Sequence, residues 1–242
     1  MMRFGATTST NGRGRNVVQS IQKLLLGDIV EIAIGPRPIG DFMSWWQGSR
    51  PGRIEFRAHH AVPIGDGVTL RPEGADGLKR IADRLHSMGL RHYSMHPPDK
   101  RLLPTSAALF EWYAETRMSI FQPAGLMFSI ETMYWNPHRP HNLVDLDEVQ
   151  DFLNPAMRYF THPLVLDLAH LRINVNAGRW PIKPEDTGLL SAESPWSEIH
   201  VSSNDGKRDL HRPFNSAIDT DIKTWLDRLP ASIPRIAEGR TK

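Results

Sequence analysis

Eight short apolar runs, with helical patterns between most of them, leave this 242-residue chain few possible architectures. They are RFGAT (3–7), DIVEIAIG (28–35), RIEFRAHH (53–60), RHYSMH (91–96), LMFSIET (126–132), PLVLDLAH (163–170), SEIHVSS (197–203) and RIAEG (235–239). Each has the length of a buried strand, and several are apolar at successive positions, as in a strand covered on both faces. NVVQSIQKLLLG and GADGLKRIADRLHSMG read as helices ending on Gly, and TSAALFEWYAETRM opens on Thr and Ser. DLDEVQDFLNPAMRYF opens on Asp145 with acidic residues where the helix dipole favours them, and NSAIDTDIKTWLDRL precedes the last run. Residues 171–196, rich in Pro and Gly, read as a long loop with little helix. The alternation predicts an α/β fold, a (β/α)8 TIM barrel with short loops, in a single domain spanning residues 1–242. An open doubly wound sheet is the alternative; the count of eight and the lack of a Gly-rich turn after the first strand favour the barrel.

In such a barrel the chemistry sits where strands end. The ends of six consecutive runs carry His60, His96, Glu131, Asp167 with His170, His200, and Glu238, spaced 33 to 38 residues apart, about one βα unit each. One strand-end His alone is more often a structural residue. Six strand ends converging on one rim with such groups would repel and desolvate without a cation, so a metal site is expected. Asp209-Leu-His211 adds two side chains on one side of an extended segment. The chain has 11 His and no Cys, so any metal must take imidazole and carboxylate ligands.

Net charge is +2, too weak to argue for nucleic-acid binding but no obstacle to an anionic substrate. No apolar run approaches the roughly 18 residues that span a membrane, and the start lacks a signal-peptide core, so a cytoplasmic protein is expected.

The order His, His, Glu, Asp-x-x-His, His, Asp-x-His, Glu resembles endonuclease IV, the zinc-dependent apurinic-site nuclease, within the xylose-isomerase-like TIM barrels. The stretches that carry it are HHAVP, YSMHPP, SIET, LVLDLAH, EIHVSSNDGKRDLH and IAEG. The resemblance implies two or three divalent ions, zinc first, with manganese or iron as alternatives. One ion would take His60, His96 and Glu131; a second would share Glu131 and take Asp167, His200 and Glu238; a third would take His170, Asp209 and His211. Glu131, Glu238 and His200 are then the residues expected at the reacting centre of a phosphoester hydrolase. Its substrate would be an abasic nucleic acid or a small phosphorylated molecule. The chain departs from that family after the first ligand, where HHAVPIG lacks the aromatic that presses into DNA, and at HPPDK, where a Gly and a small polar residue are usual.

YSMH, ETMY and LVLDLAHLRINVNAG also resemble multinuclear non-haem iron enzymes that oxidatively modify ribosomally made peptides, which implies a peptide substrate and a partner protein presenting it. That family commonly has Asn where this chain has His170. A sugar isomerase or epimerase, the third class, needs only a mononuclear site from Glu131, Asp167, His200 and Glu238. For substrate contact the candidates are Arg37, Trp45 and Trp46 in the loop after the second strand, and Lys207 and Arg208 between His200 and His211. His59 should face away from His60 on a strand, and takes its place as ligand if the register is one residue off. His138 and His141 follow Glu131 by loop distance and either line the barrel mouth or are solvated loop residues, the second reading being favoured; His86 and His92 read as structural.

Overall fold

The computed structural model describes residues 4–9, 29–33, 55–60, 72–191 and 194–238. The helix expected over 16–27, and Arg37, Trp45 and Trp46, lie outside them.

Eight strands run β1 (Phe4–Ser9), β2 (Ile29–Ala33), β3 (Glu55–His60), β4 (His92–Met95), β5 (Met127–Glu131), β6 (Leu164–Asp167), β7 (Trp196–Val201) and β8 (Arg235–Ala237). Each pairs in parallel with the next, and β8 pairs with β1, Phe4 opposite Arg235, so the α/β sheet curls into a barrel. Among the described residues the helices are α1 (Pro72–Ser87), α2 (Ser106–Thr116), α3 (Leu146–Tyr159), α4 (Leu168–Asn176) and α5 (Thr220–Arg228). No helix among the described residues is long and apolar enough to cross a membrane.

Strand periodicity separates two environments. Tyr93, Phe128 and Ile130 join the apolar layer between sheet and helices, where the Phe121 and Phe128 rings stack at 4.4 Å and Tyr113 Oη donates to the Phe128 carbonyl at 2.9 Å. Burying each such ring contributes roughly 1.5–3 kcal/mol. The alternate positions, Arg57 and His59, Ser94, Ser129 and Glu131, Glu198 and His200, are polar and equally buried. A polar barrel interior is costly unless each group has a partner, and its partners define the site.

The helix ends follow local chemistry. Thr105 caps α2 by accepting from Ala108 N at 3.1 Å. Gly89, at φ +70°, closes α1 while Leu90 N donates back to Leu85 O at 3.1 Å. Two sequence expectations need correction. Residues 171–176 are helical, because Asp167 caps α4 and its turns continue past His170. The last expected helix starts at Thr220 rather than near Asn215, because the Asp219 carboxylate accepts from Asn215 N (2.9 Å), Ser203 Oγ (2.7 Å) and Arg172 Nη1 (2.8 Å), and so folds 215–219 into a turn.

Candidate metal centre

Glu131, the last residue of β5, lies at the middle of the site with its side chain 1% exposed. Its two oxygens face different partners. Oε2 lies 3.4 Å from His59 Nε2 and 3.1 Å from His96 Nε2. Oε1 lies 3.5 Å from His200 Nδ1 and 3.5 Å from His170 Nδ1. His200 Nδ1 is also 3.2 Å from Glu238 Oε1. Among the described residues two groups therefore bring ligand atoms within 4.8 Å of one another: His59, His96 and Glu131, and Glu131, Asp167, His200 and Glu238. Glu131 belongs to both.

The resemblance implies His60 in the first group, with His59 in its place if the register is one residue off; among the described side chains His59 stands there. In β3 the polar interior positions are Arg57 and His59, paired across to β4 with His59 opposite Ser94. The side chain of His60 lies outside the described residues. Replacing His59 with Ala should lower the metal content of the purified protein, whereas His60→Ala should leave it intact. Elemental analysis of the two purified variants checks this, and the reverse pattern would restore the sequence register.

Asp167 serves three purposes at one position. It ends β6, its Oδ1 accepts from Ala169 N (2.7 Å) and His170 N (2.8 Å) to cap α4, and its Oδ2 remains for the site. His170, one turn on, holds Nδ1 at 2.8 Å from the Thr132 carbonyl, which can only accept. In the neutral ring Nδ1 carries the proton and Nε2 is the free nitrogen, 3.6 Å from Asp209 Oδ2. Asp209 Oδ2 also lies 2.9 Å from His211 Nε2, and His211 Nδ1 lies 3.5 Å from Glu238 Oε2. His170, Asp209 and His211 thus meet through Asp209 rather than forming a third group as close as the first two. His211 adopts φ +44°, unusual for a residue with a Cβ and found where surrounding contacts impose it.

The loop carrying Asp209 and His211 is fastened on several sides. Ser203 and Arg212 exchange backbone hydrogen bonds of 2.8 and 2.9 Å, Arg172 donates to Asn204 O at 3.2 Å, and Asn176 donates to Gly206 O at 3.2 Å. Gly206 has φ +72°, and a Cβ there would lie 2.1 Å from Asn176 Nδ2.

Electrostatics agree with a cation-binding cavity. Burial pushes Asp167 up to about 7; His170 opposes this, while the Glu238, Glu131 and Asp209 charges add to it. Burial would raise Glu131 too, but His96 and His200 hold it well below the usual range. Burial would lower His170, yet Asp167, Asp209 and Glu131 hold it well above its ordinary value. Hydrogen bonds to Asp209 and Glu238 push His211 up to about 10. The raised groups, Asp167, His170 and His211, thus favour protons among carboxylates that stay charged. Among the described residues, nothing donates a hydrogen bond to the buried Glu131 Oε2, Asp167 Oδ2 or Asp209 Oδ1. Buried anionic oxygens without donors, alternating with imidazoles, fit divalent ions.

Proton occupancy sets a pH dependence. A metal held by His170 and His211 would have to displace their protons, so its affinity would rise with pH, by roughly tenfold per unit for each proton displaced. Calorimetric zinc titrations in buffers of different ionisation enthalpy should show proton release between pH 6 and 8, and a pH-independent affinity would contradict this assignment.

The other candidates sit apart. Lys207 and Arg208 are exposed, their backbone N–H groups and the Arg208 guanidinium held by Asp205. His138 and His86 are exposed. His92 lies 3.4 Å from Glu55. His141, expected in solvent, is buried, and the Tyr134 ring packs between it (5.3 Å) and His170 (4.9 Å). Burial, with the His96, His170 and Arg139 charges, pushes His141 down to about 4, so a neutral imidazole borders the site.

No family model and no curated protein matches the chain. Solved structures do. A D-tagatose 3-epimerase-like protein aligns at TM-score 0.69 with 12% identity, over 100% of this chain and 92% of its own. Endonuclease IV from Thermus thermophilus aligns at TM-score 0.58 with 16% identity, over 99% and 93%. The TTHB071 protein of the same organism, in crystals soaked with ZnCl2, aligns at TM-score 0.62 with 19% identity, over 99% and 93%. The likeness is one of fold; the His/carboxylate cluster at the strand ends, consistent with a metal-dependent catalytic site, is read from this chain's own geometry.

Proposed function

We propose that this chain, as one closed (β/α)8 domain over residues 1–242, is a metal-dependent hydrolase of a phosphoester, with two ions sharing Glu131 and a third held by His170, Asp209 and His211. The observation that carries it is the division of the Glu131 oxygens, one facing His59 and His96 and the other facing His170 and His200. A mononuclear site has no use for His59 and His96. Zinc suits the imidazole-rich donor set, with manganese as alternative. Bound divalent ions supply Lewis-acid polarisation of phosphoryl oxygens and neutralise their charge. The chain's own groups hold and orient: Glu131 ties the two halves, Glu238 links His200 to His211, and Tyr134 with neutral His141 forms a wall beside His170. The modest net charge and the absent aromatic after the first ligand favour a small or single-stranded substrate over duplex DNA.

A second reading has one specific support. Glu131, Asp167, His200 and Glu238 by themselves make a carboxylate-rich mononuclear site, and several of the similar structures are named as sugar 3-epimerases. There Glu131 and Glu238 would exchange a proton with a carbon next to a carbonyl. The deciding assay sets zinc- or manganese-dependent cleavage of an abasic oligonucleotide and a small phosphodiester beside manganese-dependent epimerisation of ketohexoses. Phosphoester cleavage lost in His59→Ala supports the first reading. Epimerisation that survives His59→Ala, without cleavage, decides for the second. Oxygen consumption with ferrous iron and a peptide, without either activity, rejects both.

A further inference from the structure

We infer that one face of α4 seats the loop carrying Asp209 and His211, with Arg172 as the positioning residue for the third ion. The inference rests on the third-ion part of the reading above, whichever reaction the site performs.

His59, Glu131, Asp167 and His200 stand on strands that the barrel's own ladder holds, but Asp209 and His211 lie between β7 and α5. Two side chains on such a loop meet a third on a helix at low entropic cost only if the loop is already ordered. Ala169, Arg172 and Asn176 order it. They stand at i, i+3 and i+7 on α4 and so share one face, while His170 is turned from that face toward Glu131 and Asp209. The loop runs along the shared face. Asn204 Nδ2 donates to Ala169 O at 2.7 Å, Arg172 Nη1 donates to Asn204 O at 3.2 Å, and Asn176 Nδ2 donates to Gly206 O at 3.2 Å. Asn204 Oδ1 accepts from Gly206 N at 2.8 Å and closes the turn between these contacts.

Arg172 also reaches the far end of the loop. Nη1 donates to Asp219 Oδ1 at 2.8 Å, and Nε donates to Asp221 Oδ2 at 2.7 Å. Asp219 accepts from Ser203 Oγ at 2.7 Å, and Ser203 exchanges backbone hydrogen bonds with Arg212, the residue after His211. One guanidinium thus fixes the loop where it leaves β7 and, through Asp219 and Ser203, where it returns at Arg212. Arg172, Asn204 and Asp219 are buried, so water competes little for these bonds. Asp219 and Asp221 match the charge of Arg172, which leaves no unpaired cation near the ion position. The other two ions take none of their ligands from this loop, so loss of Arg172 should weaken the third alone.

Zinc titration with a count of sites, and hydrogen–deuterium exchange of the metal-free protein, test this on the wild type, Arg172→Met, Arg172→Lys and Asn204→Asp. The wild type should bind three zinc ions. Arg172→Met should keep two at unchanged affinity and weaken the third by roughly 10–100-fold, as lost outer partners do. Its exchange should quicken from Ser203 to Asp219 while the strands keep their protection. Arg172→Lys keeps the charge but offers one ammonium to spread acceptors, so it should recover only part of the loss. Asn204→Asp removes the donor to Ala169 O and should weaken the same ion. Should Arg172→Met fail to fold, Asn204→Asp alone decides. Three zinc ions in the wild type, with the third bound as tightly in the variants, overturns the inference and leaves the third ion standing. Equal weakening of all three ions overturns it too, since it makes Arg172 a support of the whole barrel. A wild type that binds only two zinc ions overturns both the inference and the third-ion reading.

Discussion

Glu131→Gln should strip the protein of both ions that flank it and lower catalytic turnover by three orders of magnitude or more. The amide keeps the volume but presents one oxygen and one N–H donor where two anionic oxygens stood. Whichever way it rotates, one half of the site meets an N–H: either His59 and His96, or His170 and His200. Among the described residues His211 pairs with Asp209 and Glu238, so His211→Ala should spare the Glu131 pair and cost a smaller fraction of activity. Metal content by elemental analysis and turnover at saturating metal separate the two variants. If Glu131→Gln keeps both ions, Glu131 is no bridge.

Chelation should lower the melting temperature by about 8–16 °C, the largest stability change expected of the chain. Ligand at a thousandfold above its dissociation constant contributes about 4 kcal/mol, and a chain of this size shifts about 2–4 °C per kcal/mol. The physical source is the set of carboxylates from Glu131, Asp167 and Glu238 gathered within 4.8 Å of His200 and of one another. Without cations part of that cost is relieved by protons. Asp167, raised to about 7 by burial and then by neighbouring charges, keeps a proton when folded that it loses near 3.8 when unfolded. Its contribution to metal-free stability therefore falls as pH rises between those values. Metal-loaded protein should not show that loss. Calorimetry of chelated and zinc-saturated protein at pH 5 and pH 8 measures both effects, and equal melting temperatures would mean that no cation belongs in the cavity.

The strand-end ligands were legible in the sequence because a strand covered by helices must be apolar, which makes His, Asp or Glu at its end conspicuous. That logic puts His96, Glu131, Asp167, His200 and Glu238 at one rim, and the structure brings them together around Glu131. It leaves RAHH open, where two adjacent histidines offer both parities and the polar-versus-apolar contrast does not choose between them. The signal that chooses is Arg57, two before His59, as Glu198 stands two before His200. These pairs mark a polar interior face, and a barrel read as apolar inside conceals them. The loop composition of NPHRPH favours solvent for His141 over the barrel mouth; its burial comes from packing against Tyr134, a contact across the loop that local pattern cannot express. Likewise, residues 171–176 read as loop because Pro and Gly dominate the stretch after them, while the Asp167 cap that starts their helix was recognised only as a ligand.

Anomalous diffraction from zinc-loaded crystals at the zinc edge addresses the shared carboxylate directly. Two peaks about 3–5 Å apart should flank Glu131, one beside His59 and His96 and the other beside Asp167, His200 and Glu238. A single peak among Glu131, Asp167, His200 and Glu238, with nothing beside His59 and His96 at saturating zinc, would contradict a bridging Glu131 and leave a mononuclear enzyme.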